Sequence, residues 1–258
     1  MKHKLNLRTQ LIVICFTFPL LSGCKKIIDY ISKANIETRT CQISEILISN
    51  EISHSFHHYR FTYNDFGDPV KIFDDTRPQG NYWFFKYDKF HRLIESLSTG
   101  DSSLTKGIYS LWSKYHYNIL NQIVDETQYF SGLKTETGPV PSQSYNKKHY
   151  EYDGLNRIDK ETDTSYYNHH TSYWSQKRYV YESNGNLRWR LYDDKVNILR
   201  TNKIWMFLVK DYSLNNAFKA NEYNEHQLPL KIYFPREFMD FLMSSAGNIQ
   251  VKYDCQNF

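Results

Sequence analysis

Three groups of residues have types and spacings that could do chemistry. The stretch "HSFHH" places histidines at His54, His57 and His58. On a strand, His54 and His58 share a face with Phe56, and imidazoles on one face can ligate a transition metal. No acidic partner accompanies them at ligand spacing, so no metal site is assigned. His169 and His170 are neighbours and would point to opposite faces of a strand. The acidic pairs Asp74-Asp75 and Asp193-Asp194 have the residue type of glycosidase carboxylates, which must face each other across ~5–10 Å. Both pairs stand near expected turns, where Asp bonds its own backbone two residues on. The third group is aromatic. Trp83, Trp112, Trp174 and Trp189, with Trp205 and many tyrosines beside them, are candidates for stacking on a ligand. Their rings have a large apolar face and a polar tip. There is no His-Glu-x-x-His, no Gly-x-Ser-x-Gly and no glycine-rich phosphate loop. No catalytic residue, cofactor or metal follows from the sequence.

The elements that must position these residues repeat. Tyr150 to Ile158, "YEYDGLNRI", has relatives in "FTYNDFGDPV", "FKYDKFHRLI", "YHYNILNQIV", "YVYESNGNLR", "NEYNEHQLPL" and a shortened "VKYDC". A tyrosine is common to all seven: Tyr63, Tyr87, Tyr117, Tyr152, Tyr181, Tyr223 and Tyr253. An aromatic residue and a tyrosine two apart lie on one face of a strand. The Asp, Asn or Glu that follows begins a turn. Gly67, Asn121, Asn156 and Gly185 fall where a left-handed residue would close it. Each copy predicts a β-hairpin. Successive tyrosines are 24, 30, 35, 29, 42 and 30 residues apart, too irregular for a strict solenoid or propeller. The expected fold is all-β: a curled antiparallel meander of up to about a dozen strands, turning towards a barrel or sandwich. One short helix is expected over 235–247, "PREFMDFLMSSAG", with proline in its first turn and Gly247 at its end.

Aromatics make up 17% of the chain, which separates it from disordered sequences. Its basic residues form no block longer than Lys25-Lys26 or Lys147-Lys148, so nucleic-acid binding is not indicated. Residues 1–23 read as a signal peptide: Lys2, Lys4 and Arg8, then an apolar run too short to span a bilayer, which needs ~20 residues. Removing 1–23 leaves 258 − 23 = 235 residues and takes three of the positive charges that make up the formal +4. Cys41 and Cys255 stand near the two ends of the β domain, 41–258, and are expected to form a disulfide.

Leu21-Ser22-Gly23-Cys24 resembles the lipobox of bacterial lipoproteins. That resemblance implies cleavage before Cys24, lipidation of Cys24, and residues 24–40 as a membrane-anchored tether. Lys25, rather than Asp, after the cysteine implies the outer membrane under the sorting rule of better-known lipoproteins. The hairpin copies resemble the YD repeats of the RHS family, most closely in "YEYDGLNRI" and "FKYDKFHRLI". With Cys41-Gln-Ile and "DYSLNN" (211–216), the chain is similar to a group of Bacteroidota lipoproteins whose domain has no assigned function. These features imply a non-enzymatic envelope module that binds glycan, peptide or an envelope protein, or acts as a scaffold. A polysaccharide hydrolase and an RHS-related cell-surface interaction module are the alternatives.

Overall fold

The computed structural model describes residues 41–50, 54–77, 80, 82–102, 106–188, 190–233 and 247–255. The expected signal segment 1–23, the expected tether 24–40 with Cys24, Trp189 and positions 235–246 of the expected helix lie outside the described residues.

The repeat tyrosine ends one strand and pairs with the residue six positions later, which begins the next. This holds for Tyr63 with Pro69, Tyr87 with Leu93, Tyr117 with Ile123, Tyr152 with Ile158 and Tyr223 with Pro229. Tyr181 and Leu187 make the same pair as an isolated bridge. Between the partners lies one turn. The Oδ1 atom of Asn64 accepts from the Phe66 and Asp68 N–H groups at 3.0 and 2.9 Å. Asp88, Asn118, Asp153 and Asn224 do the same in their copies. The last turn position is left-handed in six copies, at Gly67, His91, Asn121, Asn156, Gly185 and Gln227. Gly67 has a second reason to be glycine: a Cβ there would meet the Gln42 side chain at 2.7 Å.

These joints link fourteen strands: β1 (Cys41–Asn50), β2 (Ser55–Tyr63), β3 (Pro69–Asp74), β4 (Tyr82–Tyr87), β5 (Leu93–Thr99), β6 (Gly107–Tyr117) and β7 (Ile123–Thr135). The others are β8 (Gly138–Pro139), β9 (Ser144–Tyr152), β10 (Ile158–Tyr167), β11 (His170–Arg178), β12 (Glu222–Tyr223), β13 (Pro229–Tyr233) and β14 (Asn248–Cys255). All belong to a single antiparallel sheet, ordered β11-β10-β9-β7-β6-β5-β4-β3-β2-β1-β14-β13-β12, with β8 on β7. The meander of hairpins is as expected. The sheet stays open, with β11 and β12 at its edges, and does not close into a barrel.

The shortened copy at Tyr253 is completed from the other end of the described chain. Tyr253 pairs with Ile43 of β1, and the register skips Ser44 there as it skips Val70, Ile94, Val124, Asp159 and Leu230 in the intact copies. Cys255 lies two residues after its tyrosine and Cys41 two before its partner. Their disulfide, with Cα atoms 4.0 Å apart, therefore stands where the other copies have a turn.

One face of the sheet carries the core. Ile43, Ile46, Ile72, Phe85, Tyr115 and Tyr150 are among its buried residues. A 3-10 turn at Ile198–Thr201 and helix α1 (Lys203–Val209) cover it. Trp205 meets the edges of Phe61 and Phe85 at 5.7 and 5.9 Å, and Phe207 those of Tyr115 and Tyr150, both at 5.5 Å. The sequence pattern did not anticipate this helix. It has seven residues, too few for a periodic signal, and packing rather than propensity stabilises so short a segment. Its N-cap is Asn202, whose Oδ1 accepts from the Ile204 N–H and whose amide donates to the Gly67 carbonyl of the first repeat turn. The "DYSLNN" stretch is a clamp behind the helix. Asn216 receives the Ile198 N–H and donates to Asp193 and to the Val196 carbonyl.

Because the disulfide replaces a covalent turn, its loss should loosen the β1–β14 joint. The Cys41→Ser/Cys255→Ser double variant is expected to lose about 2–5 kcal/mol of stability, read as a lower urea midpoint. A midpoint equal to that of the oxidised parent would mean that strand pairing alone holds the joint.

Candidate functional site

Strand alternation sends every second side chain away from the core, and the shared register of the hairpins lines these residues up in rows. The ladder pairs Lys71 with Phe84, Phe84 with Leu97, Leu97 with Trp112, Trp112 with Tyr129, Tyr129 with Tyr145 and Tyr145 with Tyr166. This is one continuous row across β3, β4, β5, β6, β7, β9 and β10. At ~4.8 Å per strand step its six steps span roughly 29 Å. Neighbouring rings touch: Trp112 and Tyr129 have centroids 5.0 Å apart, Tyr129 and Tyr145 5.7 Å, Tyr145 and Tyr166 4.8 Å.

A second row runs beside it: Lys86, Glu95, Lys114, Thr127, Lys147, Thr164 and Trp174. Lysine and threonine tips thus border the rings. The Lys71 ammonium lies 4.6 Å from the Phe73 ring centre and 5.2 Å from that of Tyr82. Lys114 lies 5.3 Å from Trp112, and Lys147 5.6 Å from Tyr166. Such contacts fix the ammonium over the ring face. At the β3–β6 end the surface deepens into a groove of about 560 Å³, lined by Lys71, Phe84, Lys86, Leu97, Trp112 and Pro139. Its far wall is the loop after β7. Tyr109 packs against Gly132, where a Cβ would overlap the ring, and its hydroxyl donates to the Val140 carbonyl at 2.7 Å.

The tryptophans named from sequence are not equivalent. Trp174 is 58% exposed on β11 and belongs to the lysine row. Trp112 sits in the aromatic row but is buried beneath its neighbours. Trp83 and Trp205 face the core, so neither can stack on a ligand. Trp83 alternates with Phe84, and the sheet turns only the latter outward. The outward row is instead completed by Tyr129, Tyr145 and Tyr166, which sequence reasoning did not single out. No constant spacing marked them: Tyr129 lies twelve residues after Tyr117, Tyr145 seven before Tyr152 and Tyr166 fourteen after it.

The other candidates serve the fold. Asp74 accepts from His57 and from the Thr76 hydroxyl, both at 2.6 Å, and holds the turn after β3. Asp75 pairs with Arg60 at 2.5 Å. Asp193 accepts from the Lys195 N–H, Asn216 and the Tyr223 hydroxyl, while Asp194 is exposed beside it. His54 precedes β2 with a left-handed backbone, and His58 lies between Glu45 and Asp75. Among the described residues, Cys41, Cys255 and His226 bring ligand atoms within 4.8 Å of one another, but both sulfurs are committed to the disulfide.

A buried ionic cluster lies on the core face under α1. Tyr150 donates to Glu126 at 2.5 Å and Tyr179 to Glu161 at 2.6 Å. Lys148 lies 3.3 Å from Glu161, and Lys210 3.7 Å from Glu126. Burial disfavours the Glu161 carboxylate, but Lys148 and the Tyr179 hydroxyl hold it below the ordinary carboxylate range. Burial pushes Lys210 down to about 8, against the pull of Glu126. Its ammonium is packed over the Phe207 and Tyr150 rings at 3.5 and 4.4 Å. The cluster ties the end of α1 to β7, β9 and β10.

No family model matches the chain, and no curated protein matches it.

The cluster makes stability depend on pH. Folded Lys210 gives up its proton near pH 8, whereas the unfolded side chain keeps it to about 10.5. Between these values the unfolded chain binds more protons, so stability rises with pH. The rise should be visible up to about pH 10, where unfolded tyrosines begin to ionise. In Lys210→Met it should vanish when urea midpoints are compared across that range. An equal rise in the variant would assign it to other groups.

Proposed function

We propose that this protein is a lipid-anchored envelope module that binds an extended glycan chain on the outer face of its sheet and catalyses no reaction. The single observation that carries this reading is the seven-strand row of Lys71, Phe84, Leu97, Trp112, Tyr129, Tyr145 and Tyr166. A sheet face has its main-chain groups engaged in the ladder and offers a peptide no backbone pairing. Recognition must come from ring faces and side-chain tips. Ring faces suit the apolar C–H faces of sugars, and threonine and lysine tips suit their hydroxyls. A row of this length suits a polymer better than a small molecule.

The lipobox-like Leu21-Ser22-Gly23-Cys24 supports the anchor, and the strand–turn–strand unit supports kinship with YD repeats. On this reading the protein sits in the outer membrane, and the tether 24–40 holds the domain at the membrane. The repeat has a scaffold role: it fixes the register that lines the rings up.

Two measurements test the proposal. In affinity electrophoresis through gels containing soluble xylan, mixed-linkage glucan or polygalacturonate, at least one polymer should retard the protein. Tyr145→Ala and Tyr166→Ala should each weaken that retardation by about 1 kcal/mol, roughly fivefold. Retardation that survives the double variant would remove this face from binding. Metabolic labelling with an alkyne fatty acid should mark the full-length protein and fail to mark Cys24→Ala. A label that persists in the variant would refute the anchor at Cys24.

A further inference from the structure

Resting on the glycan-binding reading, we infer that the bound chain is acidic: a polysaccharide whose sugar rings carry carboxylates. The inference comes from which charges on the outer face are already answered. One acid, Glu95, stands in the second row, and Asp125 lies beside the rows, opposite His116 and His149. Glu95 lies 3.9 Å from Lys86, and Asp125 lies 2.8 Å from His149. Lys71, Lys114 and Lys147 are different. Among the described residues none of them makes an ion pair with a carboxylate, although Glu95 stands opposite Lys114 in the ladder and lines the groove beside Lys71; each is set over an aromatic ring. The ring places the ammonium but does not neutralise it. Lys71 belongs to the aromatic row and borders the groove. Lys114 and Lys147 alternate with Thr127 and Thr164 immediately beside that row. Lys114 and Lys147 are separated by β7, so they are two strand steps, roughly 9.6 Å, apart.

A neutral glycan lying on the rings would leave three oriented cations facing solvent. A chain with a carboxylate on its sugar rings would place ring faces on Tyr129, Tyr145 and Tyr166 and carboxylates against the adjacent ammonium groups. Opposed charge of this kind governs partner choice and salt dependence more than raw affinity. A polyanion without rings would meet the lysines but leave the aromatic row unused.

The test uses matched polymers in affinity electrophoresis with the full domain: polygalacturonate, its fully methyl-esterified form, and polyglutamate. Polygalacturonate is expected to retard the protein at about tenfold lower concentration than the ester, with the advantage shrinking at high salt. The Lys114→Gln/Lys147→Gln double variant should lose that advantage and bind polygalacturonate no better than the ester. Its urea midpoint should match the parent, which separates lost binding from lost fold. Equal binding of polygalacturonate and ester would overturn the acidic preference and leave glycan binding standing. No binding to polygalacturonate while xylan or mixed-linkage glucan binds would likewise overturn the acidic preference alone; polyglutamate binding as well as polygalacturonate, or no binding to any of the polysaccharides, would overturn the glycan reading itself.

Discussion

The hydroxyls of four repeat tyrosines, Tyr63, Tyr87, Tyr152 and Tyr253, make the contact on which the rest of the architecture depends. Tyr87 donates to the carbonyl of Pro69, Tyr152 to that of Ile123, and Tyr253 to that of Pro229, each at 2.8 Å. In each case the acceptor is the first residue of the previous copy's return strand. Tyr63 reaches Ile43, which plays that part in the copy split between the two ends. The phenols are buried, and burial pushes the titration of Tyr63, Tyr87, Tyr152 and Tyr253 far above the ordinary value. A buried hydroxyl without a partner is costly, so each ring has one stable seat, and that seat spans two hairpins. Phenylalanine would fill the space and lose the link. This is why variable loops between copies are tolerated. The loops set the distance along the chain, while the tyrosine sets the distance across the sheet.

The same link explains the closure at Cys41 and Cys255. The split copy keeps the tyrosine pair and the skipped residue of the intact ones, but has no continuous turn to hold its two strands together. The disulfide supplies the covalent connection at that place. The central strands of a long meander are thereby locked, although both edges of the sheet remain open.

The two faces divide the work. The inner face takes α1, Trp205 and the ionic cluster, where Glu126 and Glu161 face Lys210 and Lys148 and accept from the Tyr150 and Tyr179 hydroxyls. The outer face is left with rings in one row and lysines in the next. That alignment comes from hairpin packed on hairpin: each joint fixes the pairing of its own two strands, while the row passes through Phe84, Trp112 and Tyr145, which lie three, five and seven residues before their repeat tyrosines. A binding face on such a sheet need not be encoded residue by residue.

Much of this was written in local sequence. In five copies the Asp or Asn after the tyrosine bonds the backbone two and four residues on, and in six the residue that closes the turn adopts a left-handed conformation. Both requirements lie within one short window, so Gly67, Asn121, Asn156 and Gly185 could be placed from the sequence alone. The cysteines at the two ends also carried their own hint. Three things needed the folded chain. Helix α1 is too short to announce itself and exists because Trp205 and Phe207 fill the curved face. Whether a ring points inward or outward turns on a single step of alternation, which separates Trp83 from Phe84. And the outer row is assembled from seven strands, no two of whose row residues are neighbours in sequence. Local chemistry determined the joint; only the packing of joint upon joint decided which side chains would meet.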